Sequence, residues 1–207
     1  SKEEQGHLIN EDYDRIFNES VDEVGLLLHS AEFTFDYNLI YDKMRPALRK
    51  LQELMIVEGL EVQDCEYEFN GLLWTEAGEN VKLSSRVDML FTDRNGDKVI
   101  FDFKWRQNKK KYVKFVEENT ALQLSIYRYL AQQTFGKDVK VRVAYVVLPS
   151  VEIISADHFE SAVAIVPQND FDNVVRASNS YRLRWQQLQK GRIECVEGKK
   201  DAEGEYV

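Results

Sequence analysis

At Gly59 the spacing of apolar residues along this chain changes from helical to alternating, so neither an all-helical nor an all-strand fold fits both halves. Before it, Ile16, Phe17, Val21, Val24, Leu27 and Leu28 recur at helical spacing, and Leu39, Ile40, Met44, Leu48, Leu51, Leu54 and Met55 do so again over 37–57. Asn10, followed by Glu11, Asp12 and Asp14, predicts the start of the first helix, with acids near its positive end. Pro46 either kinks the second helix or marks its real start, and Gly59 closes it. Beyond Gly59, residues 61–69, 81–91 and 98–105 alternate as strands. A charged connection over 108–118 leads to a helix over 119–133, which carries Leu122, Ile126, Tyr129 and Leu130. A strand over 139–148 stops at Pro149, a weaker strand follows over 161–166, and a last helix runs over 170–189 to Gly191. This order predicts an α/β fold with a mixed central sheet flanked by helices, as a single domain over 1–207 whose ends, 1–10 and 194–207, are flexible.

Composition narrows the class. A chain of 207 residues, 43% hydrophobic and 12% aromatic, can bury a full core and is not a disordered segment. Its two cysteines, Cys65 and Cys195, form no CxxC pair and cannot by themselves build a four-thiolate site, which fits a reducing compartment. No apolar run approaches the ~20 residues of a membrane span. The polar, acidic start SKEEQGHLINED is not a signal peptide. A cytoplasmic protein is therefore expected. The first residue is Ser rather than Met, which suits a piece of something longer.

The chemistry concentrates in residues 86–104, RVDMLF, a turn, then VIFDFKW. Asp102 and Lys104 lie two apart on a strand, so both leave the face that also carries Ile100, while Phe101 and Phe103 take the other. Most such triplets are only solvent-facing salt bridges. The turn Asp93-Arg94-Asn95-Gly96-Asp97 allows two registers. A two-residue Asn95-Gly96 turn sets Asp88 opposite Phe103. A three-residue loop with Gly96 left-handed sets Asp88 opposite Asp102 and Arg86 opposite Lys104. Opposed carboxylates repel, and a divalent cation between them removes the penalty. On the following helix Gln123 and Tyr127, at i and i+4, share a face.

Asp88, then Asp102-Phe103-Lys104, then Gln123-Leu-Ser-Ile-Tyr127, resembles the PD-(D/E)XK nuclease superfamily, and within it the RecB-like and AddB-like exonuclease branch. Gly25-Leu-Leu-Leu-His29 is similar to the branch's G-x-x-x-H motif, and Arg184-Trp185 followed by Gly191 to its last helix. The resemblance spans about residues 25–192. It implies a restriction-endonuclease-like core and metal-dependent hydrolysis of DNA, with exonuclease action in recombination and repair. Mg²⁺ or Mn²⁺ would be held by Asp88, Asp102, the Phe103 carbonyl and His29, with Glu66 and Glu68 as weaker candidates. Lys104 would orient the attacking water, and Gln123 and Tyr127 would line the cleft. Two features depart from the pattern. Ser85 stands where relatives usually carry Gly, and Cys195 is the sole cysteine after the last helix, so no iron–sulfur cluster is expected. A silent nucleic-acid-binding module of a helicase–nuclease is the rival reading, and an unrelated interaction domain a second.

The net charge of −9 argues against a nucleic-acid partner only as an average. Residues 1–97 carry −13, residues 98–144 carry +7 and residues 145–207 carry −3. The basic block, Arg106, Lys109, Lys110, Lys111 and Lys114, begins where the Asp102 strand ends, and Arg182 and Arg184 add to it from the last helix. A local contact with phosphate backbone is expected there.

Overall fold

The computed structural model describes residues 12–76, 79–106 and 108–192. Asn10, Glu11, Cys195 and both polar ends lie outside the described residues.

Helix α1 (Tyr13–Val24) packs Tyr13, Phe17 and Val21 against Tyr37, Ile40, Tyr41 and Met44 of helix α2 (Thr34–Glu58). α1 ends sooner than its apolar pattern suggests. Gly25 caps it, and residues 26–29 form a separate 3-10 turn, followed by another at 31–33. α2 runs unbroken through Pro46, although proline there offers no N–H to the turn before it. Gly59, at φ 64°, closes it in the left-handed conformation that glycine adopts without a Cβ penalty.

The sheet has five strands in the order β1 (Glu61–Glu76), β2 (Glu79–Thr92), β3 (Lys98–Trp105), β4 (Val141–Leu148), β5 (Glu152–Ile154). β3 and β4 are parallel and every other pair is antiparallel, which makes the expected mixed sheet. Between β3 and β4 run α3 (Lys110–Glu117) and α4 (Leu122–Phe135). The charged connection is thus a helix of its own. Its lysines hid the amphipathic pattern in which Val113 and Val116 face inward. The last helix, α5, spans Asn173–Gln189, and the Asp172 side chain accepts hydrogen bonds from the Val174 and Val175 amides. No strand forms over 161–166. The fifth strand is the shorter segment 152–154, and the apolar run supplies only a Phe159–Ala162 bridge and Ile165, which packs on the core. Among the described residues no helix is long and apolar enough to cross a membrane.

Helices cover both faces of the sheet. On one face Leu124, Tyr127, Leu130 and Ala131 of α4 pack on Val87, Leu90, Ile100, Val143, Tyr145 and Val147. On the other, Leu51, Leu54 and Met55 of α2 pack on Phe91, Val99, Phe101, Ala144 and Val146. The hairpin takes the three-residue loop. The Asp93 amide donates to the Asp97 carbonyl, Gly96 has φ 83°, and Asp93 Oδ1 accepts from the amides of Asn95 and Asp97.

One buried cluster pins this loop to the rest. Arg142 on β4 donates to Glu58 at the end of α2 and to Asp93 at the loop, each at 3.2 Å. Glu58 also accepts from the amide and hydroxyl of Ser161. Arg142→Ala strands the Glu58 carboxylate in the core. Urea unfolding should record a loss of about 3 kcal/mol, whereas Lys110→Ala on the exposed start of α3 should change stability by less than about 0.5 kcal/mol.

Candidate active site

The antiparallel ladder between β2 and β3 runs from Thr92↔Lys98 to Met89↔Phe101 and stops there. Beyond that point β2 stays with β1 while β3 stays with β4, so the sheet opens into a cleft. The cause is local to residue 88. Val87 packs toward α4, yet Met89 packs toward α2, so the strand changes face within two residues. Its neighbour on β1, Glu66, has φ 54° and is skipped in the β1–β2 pairing. Asp88 therefore does not sit in a ladder pair with Asp102. Its Oδ2 instead accepts a hydrogen bond from the Phe103 amide at 2.5 Å, where the next β2 backbone group would have bonded. The N–H and C=O of one strand residue point to the same edge, so the Phe103 carbonyl is directed at the same gap.

Asp102 is 2% exposed in the middle of this opening. Its Oδ1 accepts hydrogen bonds from Gln123 Nε2 at 2.7 Å and from the Tyr127 hydroxyl at 2.9 Å. Gln123 also donates to the Tyr127 oxygen at 2.6 Å. The i, i+4 pair on α4 thus acts as one clamp. Lys104 Nζ lies 2.5 Å from Asp102 Oδ2 and donates to Gln123 Oε1 at 3.2 Å. The contact to Oδ2 is a close, buried ion pair, which makes Lys104 the charge partner of that oxygen. Burial pushes the Asp102 carboxyl above the usual aspartate range, against the opposing pull of Lys104, and the Asp88 charge pushes it further up. Burial, and then the charge of Asp102, also raise the Tyr127 phenol.

Two carboxylates and a backbone carbonyl are all hard donors, the chemistry that Mg²⁺ or Mn²⁺ takes. Among the described residues no three His, Cys, Asp or Glu side chains gather at one point. Two carboxylates suffice for Mg²⁺, which usually keeps several waters.

Other expected residues stand elsewhere. His29 lies on the 3-10 turn after α1, not on a continuous helix, and its Nε2 is 2.7 Å from Asp22. The early end of α1 at Gly25 leaves His29 exposed and not gathered with Asp88 and Asp102. Arg86 faces Glu68 on β1 at 3.8 Å rather than Lys104, because the β2–β3 ladder has already ended. Glu68 is engaged there, and Glu66 is exposed beside the distorted strand pair. The Arg106 amide donates to the Leu148 carbonyl. Lys109 is paired with Glu152, Lys114 lies 3.8 Å from Glu118, and Lys111 stands over the Phe115 ring. Lys110 is exposed at the start of α3. On α5, Arg182 donates to Asn179 and Arg184 to Gln187. Sequence reading passed over Tyr145, which the parallel register sets beside Asp102. Its signal was a lone phenol within the apolar run Val143-Ala144-Tyr145-Val146-Val147.

A family model described as the PD-(D/E)XK nuclease superfamily matches residues 4–204. Among solved structures, a candidate exonuclease from Eubacterium rectale aligns at 13% identity and TM-score 0.42, over 90% of this chain and 68% of its own. An EndoMS–double-stranded DNA complex aligns at 20% identity and TM-score 0.27, over 48% of this chain and 35% of its own. No curated protein matches the sequence.

The raised Asp102 carboxyl has a consequence for stability. A folded-state pKa above the unfolded one favours folding fully below the unfolded pKa, and that contribution is lost as pH rises through the folded value. Asp102→Asn should therefore raise the melting temperature in EDTA. The gain should be absent well below pH ~4, grow as pH rises through the Asp102 transition, and level off above it. Melting curves that show equal gains at all pH values would contradict the assigned desolvation.

Proposed function

We infer an activity from one premise: the chain belongs to the PD-(D/E)XK nuclease superfamily. On that premise it is a divalent-metal-dependent deoxyribonuclease that hydrolyses phosphodiester bonds, acting from DNA ends in recombination and repair. The observation that carries the reading is the buried Asp102 carboxylate, clamped at Oδ1 by Gln123 and Tyr127 and faced at Oδ2 by the Lys104 ammonium, with Asp88 on the neighbouring strand.

Asp88, Asp102 and the Phe103 carbonyl would hold Mg²⁺ or Mn²⁺. A bound divalent ion lowers the pKa of its water and offsets charge on the scissile phosphate. Lys104 orients the attacking water through its ammonium and stabilises the negative charge that develops on the phosphate. Gln123 fixes Lys104 through Oε1 and Asp102 through Nε2, so one amide sets the distance between cation and carboxylate. Tyr127 stays a neutral donor to Asp102, since its phenol is held above the ordinary tyrosine range. Water attacks in line, and no covalent enzyme intermediate forms.

The lysines of α3 and its approach, Lys109, Lys110, Lys111 and Lys114 with Arg106, follow directly from β3 and would meet the DNA backbone. Lys109 and Lys114 would exchange Glu152 and Glu118 for phosphates. Arg182 and Arg184 on α5 would extend the contact. A helicase domain or subunit is the partner that fits end-directed action. A catalytically silent module would not need Lys104 and both aspartates assembled around one gap.

Purified protein with Mn²⁺ should degrade linear DNA, and EDTA should stop it. Asp102→Ala and Lys104→Ala should each lower the rate by roughly 100-fold or more, with an unchanged circular dichroism spectrum. DNA binding should weaken steeply between 50 and 200 mM salt, as binding by several phosphate contacts does. If linear, nicked and single-stranded DNA all survive Mn²⁺ and folded protein, the nuclease reading of this chain fails.

A further inference from the structure

Lys104 is the one group in the site on a long flexible stem, and hydrogen bonds alone do not fix it. Four rotatable carbons carry an ammonium whose two polar partners, Asp102 Oδ2 at 2.5 Å and Gln123 Oε1 at 3.2 Å, leave its approach from the sheet side to be fixed by packing. A third group is present. The face of the Tyr145 ring lies 5.6 Å from Lys104 Nζ, within reach of a cation–π attraction. Tyr145 is the parallel-ladder partner of Asp102, so its ring leaves the sheet on the same face and lies diagonally below Lys104. The ring itself cannot drift. It is 3% exposed and packed within the core, and Tyr112 of the lysine-rich helix α3 abuts it at 5.0 Å.

We propose that Tyr145 is a positioning residue for Lys104: its buried ring face, braced by Tyr112, holds the ammonium against Asp102 in the geometry needed for hydrolysis. The proposal deepens the nuclease reading above and, for its catalytic consequence, rests on it. It assigns the work to the ring face, not to the hydroxyl, which makes no hydrogen bond among the described residues. It also gives α3 a second role, because the helix that would meet the DNA backbone carries the brace for the catalytic lysine.

The test separates ring electronics from shape. Tyr145→Phe keeps the ring face, and trifluorophenylalanine at 145 keeps its volume while removing most of the charge attraction. Two readouts are taken. The first is the turnover number and KM for DNA cleavage with Mn²⁺. The second is competitive acetylation of lysine amines in EDTA, read by mass spectrometry with exposed Lys110 as internal standard. Tyr145→Phe should stay within about twofold of wild type in both. The trifluoro variant should lose about three- to fivefold in turnover with KM unchanged, and Lys104 should acetylate faster by a similar factor. Equal Lys104 acetylation and equal turnover in the two variants would overturn the proposal, as would a loss in Tyr145→Phe as large as in the trifluoro form. If neither wild type nor variants cleave DNA, the nuclease reading fails, and the acetylation comparison in EDTA still decides whether Tyr145 holds Lys104.

Discussion

A carboxylate taken out of water must be repaid by hydrogen bonds or by a cation, and in this molecule that demand falls on Asp102. Oδ1 takes two hydrogen bonds from α4, which fixes the distance between that helix and β3. Oδ2 faces the Lys104 ammonium at 2.5 Å, so carboxylate and lysine stand at the cleft as a pair. The helix that covers one face of the sheet is thus also the clamp that orients the site. Leu124, Leu130 and Ala131 press α4 onto the strands, while Gln123 and Tyr127 on the same helix reach the acid.

The second constraint is where the sheet parts. Five strands could have formed one continuous surface, but β2 leaves β3 after a single distorted position. That distortion is shared by Asp88 and by Glu66, whose backbone lies in a region that non-glycine residues seldom adopt. The aspartate carboxylate then substitutes for the missing backbone acceptor at the Phe103 amide. A break in the ladder and the placement of the Asp88 carboxylate are one event. The Arg142 cluster at the far end of the hairpin keeps the remaining rungs in register, so the opening stays confined to the end that holds the acids.

Charge follows the same geography. The N-terminal half, strongly acidic in sequence, supplies α1, α2 and strands β1 and β2, while the basic block forms α3 and its approach directly after β3. Two of those lysines are paired with carboxylates, so contact with a polyanion would be an exchange of partners rather than the capture of bare charge. Such exchanges make affinity sensitive to salt while keeping the free protein free of a large repulsive patch.

Much of this was legible in the sequence, and the reasons are specific. The change of apolar period at Gly59 dictated helices before strands, because burial of one face requires one period or the other. Asp102 with Lys104, and Gln123 with Tyr127, could each be paired because a strand repeats every two residues and a helix about every four, which are local facts, whereas joining the two pairs into one site took the family resemblance. The three-residue loop was one of two registers, and only the fold chose between them: Arg142 and Glu58, from other elements, secure Asp93. The misplacements share a cause in non-local packing. The helix over 110–117 was masked by lysines that its solvated face tolerates. The apolar run over 161–166 looked like a strand, yet it supplies only the Phe159–Ala162 bridge and Ile165, which packs on the core. His29 belonged with the aspartates by motif, yet α1 stops at Gly25 and the side chain turns to Asp22. Tyr145 was invisible until parallel pairing set it beside Asp102. Sequence alone determined which side chains share a face within the regular elements, but not the change of face at residue 88 of β2. Which elements meet, at what offset and with which strands parted was decided by tertiary packing, since those distances depend on burying surfaces far apart in the chain.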